Sequence, residues 1–129
     1  MSGSRRRAGP ADRDRGAVTA ELALALPTLL AVTTGLVWLL SVGAAQVRTV
    51  DAARETARAV ARGDDAASAI ATGEQVAPDG VTVSVATEGR RVVARATGEV
   101  PGPGGLFAFL PGATVTAEAV AAVEESGLP

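Results

Sequence analysis

"RGAVTAELALALPTLLAVTTGLVWLLSVGAAQV", residues 15–47, decides how this chain must be read. From residue 22 to residue 47 there are 26 consecutive positions without a charge, mostly Leu, Val and Ala, with Trp38 towards the far end. A helix crossing the hydrocarbon layer of a bilayer needs roughly 20 apolar residues, so the run is long enough. A helix that is apolar all round must also be hidden, and 129 residues leave too little other material to cover it. Pro27 lies one turn inside the run, removes one backbone hydrogen bond and predicts a kink. Gly35 and Gly43 offer small positions suited to close helix contact. Glu21 stands one step before the run, a carboxylate at the mouth of an apolar helix.

The flanks set the orientation. Residues 1–16, MSGSRRRAGPADRDRG, read as a disordered polar head holding five arginines against two aspartates, a net +3. The remaining residues hold seven arginines against twelve acids, a net −5. A basic head before an apolar run is a membrane-orientation signal, with the head in the cytoplasm and the C-terminal part outside. Arg48, Arg54, Arg58 and Arg62 beyond the run weigh against that orientation, although acids accompany them. The only aromatics are Trp38, Phe107 and Phe109, and no basic patch interleaves with them, so nucleic acid is not expected as a partner.

Beyond residue 46 the pattern becomes amphipathic. Val47, Val50, Ala53, Ala57, Val60 and Ala61 recur at spacings of three and four, with Arg48, Asp51, Glu55, Arg58 and Arg62 opposite. Asp51 with Arg54, and Glu55 with Arg58, are oppositely charged i,i+3 pairs. Gly63 supplies a stop, which predicts one continuous helix over residues 18–62, about 65 Å long. Asp64 or Asp65 caps a short helix predicted to run through Thr72 and end at Gly73.

The period then changes to two. VTVSVAT (81–87), RVVARATGEV (91–100) and TVTAEAVAAV (114–123) alternate apolar and polar positions, with Glu88, Gly89 and Arg90 as a turn between the first pair. They predict three antiparallel strands, although the alanine-rich second half of the third also suits a helix. PGPGGLFAFLPG (101–112) is a loop bounded by breakers. Its Phe107 and Phe109 suggest an apolar lid packed under the sheet, with a contact for another subunit as the alternative. The predicted fold class is α+β: a long N-terminal transmembrane-plus-amphipathic helix packed on a small antiparallel sheet.

Three readings compete for the 15–22 stretch. A Sec-type signal peptide has a small-residue exit at VGA (42–44) or GAA (43–45), but the usual apolar core is only 7–15 residues. A plain signal anchor leaves Glu21 at headgroup level. A cut between Gly16 and Ala17 explains more residues: it removes the basic head and leaves an amine on Ala17, one helical turn from Glu21. A charge at mid-bilayer costs roughly 2.5–3.5 kcal/mol on insertion scales, and a partner of opposite sign relieves it. Between helices staggered along an assembly, Glu21 of one subunit would meet the amine of the next and fix the register.

This arrangement resembles the class III signal of type IV pilins: a hydrophilic leader ending in Gly, a cut, Glu at +5, then an apolar helix. "RGAVTAELALALPTLLAV" (15–32) and "DAARETARAVARG" (51–63) look most like the TadE-like minor pilins, or pseudopilins, of the tight-adherence (Flp-type) pilus system. The position after the cut is Ala17, where many type IV pilins have Phe, and Leu22 stands where Flp-class prepilins often have Tyr or Phe. The resemblance implies a cytoplasmic leader over 1–16, a transmembrane helix over 17–47 and a small extracytoplasmic α+β domain over 48–129. It implies cleavage at Gly16 and Ala17 by a prepilin peptidase, an assembly role for Glu21, and a helix kink at Pro27. The implied partners are other pilin and minor pilin subunits, the inner-membrane assembly platform and the membrane itself. The alternative function is a small secreted or membrane-anchored binding domain with a Sec-type signal.

Catalysis and cofactors are not expected. The chain has no His and no Cys, which removes the common general base, thiolate nucleophiles and the usual transition-metal ligands. Asp64 and Asp65 are read as a helix cap rather than a cation site, and PGPGG (101–105) opens no helix that would make it a phosphate loop. Glu124 and Glu125 are read as a solvated tail, and Arg5, Arg6 and Arg7 lie too far from the apolar run for a twin-arginine signal.

Overall fold

The computed structural model describes residues 9–105 and 107–123. Five elements follow one another: α1 (Pro10–Ala61), α2 (Ala66–Val76), β1 (Val81–Glu88), β2 (Arg91–Val100) and β3 (Ala113–Ala122). The fold is α+β, a long N-terminal helix with a three-stranded antiparallel sheet in the order β1-β2-β3. The chain divides into two compact units, residues 1–36 and 37–129.

In the first unit, α1 begins eight residues before the predicted start at residue 18. Residues 10–16 are therefore helical rather than a disordered head; residues 1–8 lie outside the described residues. Pro10 occupies the first helical position, where its missing N–H is no loss, and Asp12 lies in the first turn at the positive end of the helix dipole. The carbonyl of Gly9 accepts from the amides of Asp12 (3.0 Å) and Arg13 (3.3 Å).

In the second unit, α1 ends as Gly63 predicts. Gly63 adopts φ 99°, the amide of Gly63 donates to Val60 O at 3.0 Å and that of Asp64 to Ala59 O at 3.1 Å. This pair of bonds is a Schellman motif, which needs a residue tolerant of the left-handed region. Asp65 then caps α2, accepting from the Ser68 amide at 3.3 Å.

α2 does not stop at Gly73; it runs on to Val76. Gly73 is buried, and a Cβ placed there would overlap the Thr56 hydroxyl and come within 3.2 Å of Ala52 O. Gly73 is thus the point where α2 closes on α1, and its lack of a side chain serves packing, not termination. The end of α2 is held instead by Arg48, whose Nε donates to Val76 O (3.2 Å) and Nη2 to Ala77 O (3.1 Å). A cation at the carbonyl end of a helix is favourable to its dipole.

The strands pair as their alternation predicts, and 113–122 is strand, not helix. β1 and β2 are joined by Gly89 and Arg90, with Glu88 opposite Arg91; Gly89 at φ 62° supplies the first central position of a type II′ turn. Ala119 and Ala121 of β3 lie opposite Ala94 and Val92 of β2, so the alanine-rich half is required to be thin where the sheet meets the helix. The core has two clusters. Ala45, Ala52 and Ala53 of α1 meet Val81, Val83, Ala96 and Val115; Ala57 and Ala61 meet Val92 and Ala94. β2 therefore runs opposite to α1, with Ala96 in the cluster of Ala45, Ala52 and Ala53, and Val92 and Ala94 in that of Ala57 and Ala61. On the outer face Arg95 and Glu118, cross-strand neighbours, form a 2.6 Å hydrogen-bonded ion pair. That bond holds the Arg95 guanidinium above its usual pKa.

The helix face differs from the predicted stripe. Val47 is 60% exposed, whereas Thr49 and Thr56 are fully buried. Their hydroxyls donate to the carbonyls four residues back, Ala45 O at 2.8 Å and Ala52 O at 2.9 Å, which hides the polar group and leaves a small methyl-bearing surface. The i,i+3 pairs also rearrange: Glu55 lies 3.7 Å from Arg62, and among the described residues neither Asp51 with Arg54 nor Glu55 with Arg58 forms an ion pair. The expected lid is not formed. Phe109 is 77% exposed and Phe107 half-buried, because α1 and α2 already cover the apolar face of the sheet.

Candidate functional site

Gly16, Ala17, Glu21 and Pro27 all lie on α1 within the first unit, and all are exposed. The Gly16–Ala17 peptide bond is inside the helix, and the Thr19 hydroxyl reaches back across it to Arg15 O at 2.9 Å. A Cβ added at Gly16 would meet nothing within 4 Å. Ala17 and Glu21 are four residues apart, about 6 Å along the axis and on the same side. The structure thus brings the two positions together on one helix face.

The helix continues through Pro27. Proline has no N–H for the carbonyl of Ala23, and in the next position the Thr28 hydroxyl donates to Leu24 O at 2.8 Å. The side chains around Glu21 project apolar surface: Leu22, Leu24, Leu26, Leu29 and Leu30 are each more than half exposed. An exposed apolar surface of this kind marks a membrane or protein contact. By length and composition α1 can cross a membrane.

Residues 16–58 match the model of the TadE-like protein family. The chain carries a TadE-like segment. The TadE-like match begins at Gly16 and includes Ala17, Glu21 and Pro27, and it agrees with the resemblance to pilus-associated proteins of the tight-adherence type. It covers the apolar run and most of the part of α1 that packs on the sheet; α2 and all three strands lie outside it. No curated protein and no solved structure matches the chain.

Two residues of the TadE-like segment have roles that sequence reasoning missed. Trp38 donates its indole N–H to Pro101 O at 2.9 Å, and Arg48 caps α2. A signal existed for the first, since an indole N–H usually finds an acceptor. For Arg48 there was none, because the acceptors are main-chain atoms nearly thirty residues away in sequence.

Proposed function

We propose that the protein is a structural, non-catalytic minor pilin, or pseudopilin, of a Flp-type pilus. It is made as a class III prepilin with its N-terminus in the cytoplasm and its C-terminal domain outside. A prepilin peptidase cuts between Gly16 and Ala17, and the mature chain joins other pilin subunits at the inner-membrane assembly platform. The observation that carries the reading is the pairing of Ala17 with Glu21, one turn apart at the start of an uncovered apolar helix inside a TadE-like match.

The chemistry supports it in three ways. Cleavage at Gly16 makes Ala17 the new helix end, where the N-terminal dipole and the new amine both favour the Glu21 carboxylate. In lipid, that carboxylate gains more from a counter-charge than it would in water, and a neighbouring subunit's amine is an equivalent partner. The bond to be cut must leave its helical conformation to enter a protease. Residues 10–16 are exposed, and Gly16 weakens the turn by about 1 kcal/mol relative to alanine.

N-terminal sequencing of the membrane-inserted mature protein tests the proposal. A start at Ala17 is expected. A start near Ala45 or Gln46 would favour a secreted domain released from a Sec-type signal, and an uncut head a simple anchor; either result refutes the pilin reading.

A further inference from the structure

Loop 101–112 is the largest feature that the proposed function does not use. Its aromatic pair, Phe107 and Phe109, has ring centroids 6.4 Å apart, yet Phe109 and Leu110 project outward, 77% and 39% exposed. Phe109 and Leu110 are neighbours in the chain and both exposed, so together they form a small apolar patch on the loop.

Position along the helix says what that patch faces. Gln46 Nε2 donates to Thr116 O at 2.8 Å, which places the start of β3 beside Gln46. Trp38 Nε1 donates to Pro101 O, eight residues and about 12 Å nearer the helix N-terminus. The loop therefore hangs from the end of the sheet that faces the apolar run, tied at the level of Trp38. There the helix itself presents Val37, Leu39 and Leu40, each more than half exposed. Roughly 20 residues counted from Leu22 end near Ser41, so Trp38 falls at the outer boundary of a spanning segment, where tryptophan is favoured.

The loop is built for that boundary. No charge occurs between Glu99 and Glu118. Its backbone is folded into consecutive turns by Phe107 N to Gly104 O (3.0 Å), Ala108 N to Gly105 O (3.1 Å) and Leu110 N to Phe107 O (2.9 Å). Internal bonds lower the cost of leaving water, and an irregular backbone suits the headgroup layer rather than the hydrocarbon centre.

We propose that loop 101–112 is a membrane-interface anchor, with Phe109 and Leu110 seated among the lipid headgroups and upper acyl chains beside Trp38. It would fix the domain close to the bilayer as a second attachment besides the helix. The proposal rests on the membrane-anchor part of the function above and not on its pilin part.

The chain has no cysteine, so single sites can be spin-labelled without altering the background. Phe109→Cys, Leu40→Cys and Thr87→Cys place a nitroxide on the loop, on the helix and beside the distal β1–β2 turn, all at exposed positions. The full chain is reconstituted in phosphatidylethanolamine–phosphatidylglycerol vesicles, and relaxation is compared for oxygen, which concentrates in lipid, and a water-soluble nickel chelate. The expected result is that positions 109 and 40 favour oxygen several-fold over position 87. If 109 behaves like 87 while 40 reports lipid, the loop is in water and the inference is overturned with the helix anchor intact. If 40 also reports water, the spanning segment ends short of Trp38 and the loop proposal falls. Spin–spin broadening at 109 that grows with protein density, without an oxygen preference, would assign the loop to a second copy and equally overturn the proposal.

Discussion

Replacing Gly73 by alanine tests how closely α2 is held to α1. In an isolated helix the change would stabilise by about 1 kcal/mol. Here the added methyl collides with the Thr56 hydroxyl and comes within 3.2 Å of Ala52 O. Either the helices part, at about 1–3 kcal/mol for overpacking, or the buried hydroxyl gives up its 2.9 Å bond to Ala52 O, at a similar cost. Set against the gain in helix propensity, the net expectation is a loss on the order of 1 kcal/mol. Pulse proteolysis of the full chain in detergent across a urea series reads this out. With a slope of about 1 kcal/mol per molar, the midpoint should fall by about 1 M. The Thr56→Ala background removes the colliding atom, and there Gly73→Ala should be close to neutral. A Gly73→Ala midpoint at or above wild type, or an equal loss in both backgrounds, would refute the close-approach argument.

Three further outcomes are expected. Gly16→Ala should abolish maturation, seen as an unshifted band on gels of membrane fractions, while the urea midpoint of the sheet-bearing unit stays unchanged because Gly16 lies in the other unit. Glu21→Ala should leave maturation intact but lower recovery of the protein in sheared pili; normal recovery would end the register argument. Val92→Ala, at a fully buried position between the helix and β2, should cost about 2 kcal/mol from two lost methyl equivalents and the cavity left behind. In the same assay Val120→Ala on the outer face, 57% exposed, should cost far less.

Much of this architecture could be read from local pattern. An uncharged run of 26 residues has few structural solutions, and the valine alternation in 81–87 and 91–100 fixes which face is covered. The Gly63 stop and the Asp65 cap follow from chemistry contained within a few residues. What escaped was tertiary. Gly73 looks like a stop until the neighbouring helix is placed against it. Thr49 and Thr56 look like surface residues until their hydroxyls are seen satisfied by their own helix, and Val47 looks like core until the stripe is found to pass through Ala45, Thr49 and Ala52. The early start of α1 is legible in Pro10 followed by Asp12, a first-turn pattern set among arginines that read equally as a polar head. The one-turn spacing of Ala17 and Glu21 needs only the helical repeat, so it is legible in the sequence; the chemistry of that pair needs a second protein.

The core described above is assembled from alanine, valine and two threonines, with a glycine at the helix crossing. Such side chains remove little hydrocarbon from water, so unfolding should bring only a small increase in heat capacity for a unit of this size. A small increment flattens the dependence of stability on temperature. The domain should therefore hold a nearly constant margin over a wide thermal range, melting without a sharp dome and losing little in the cold.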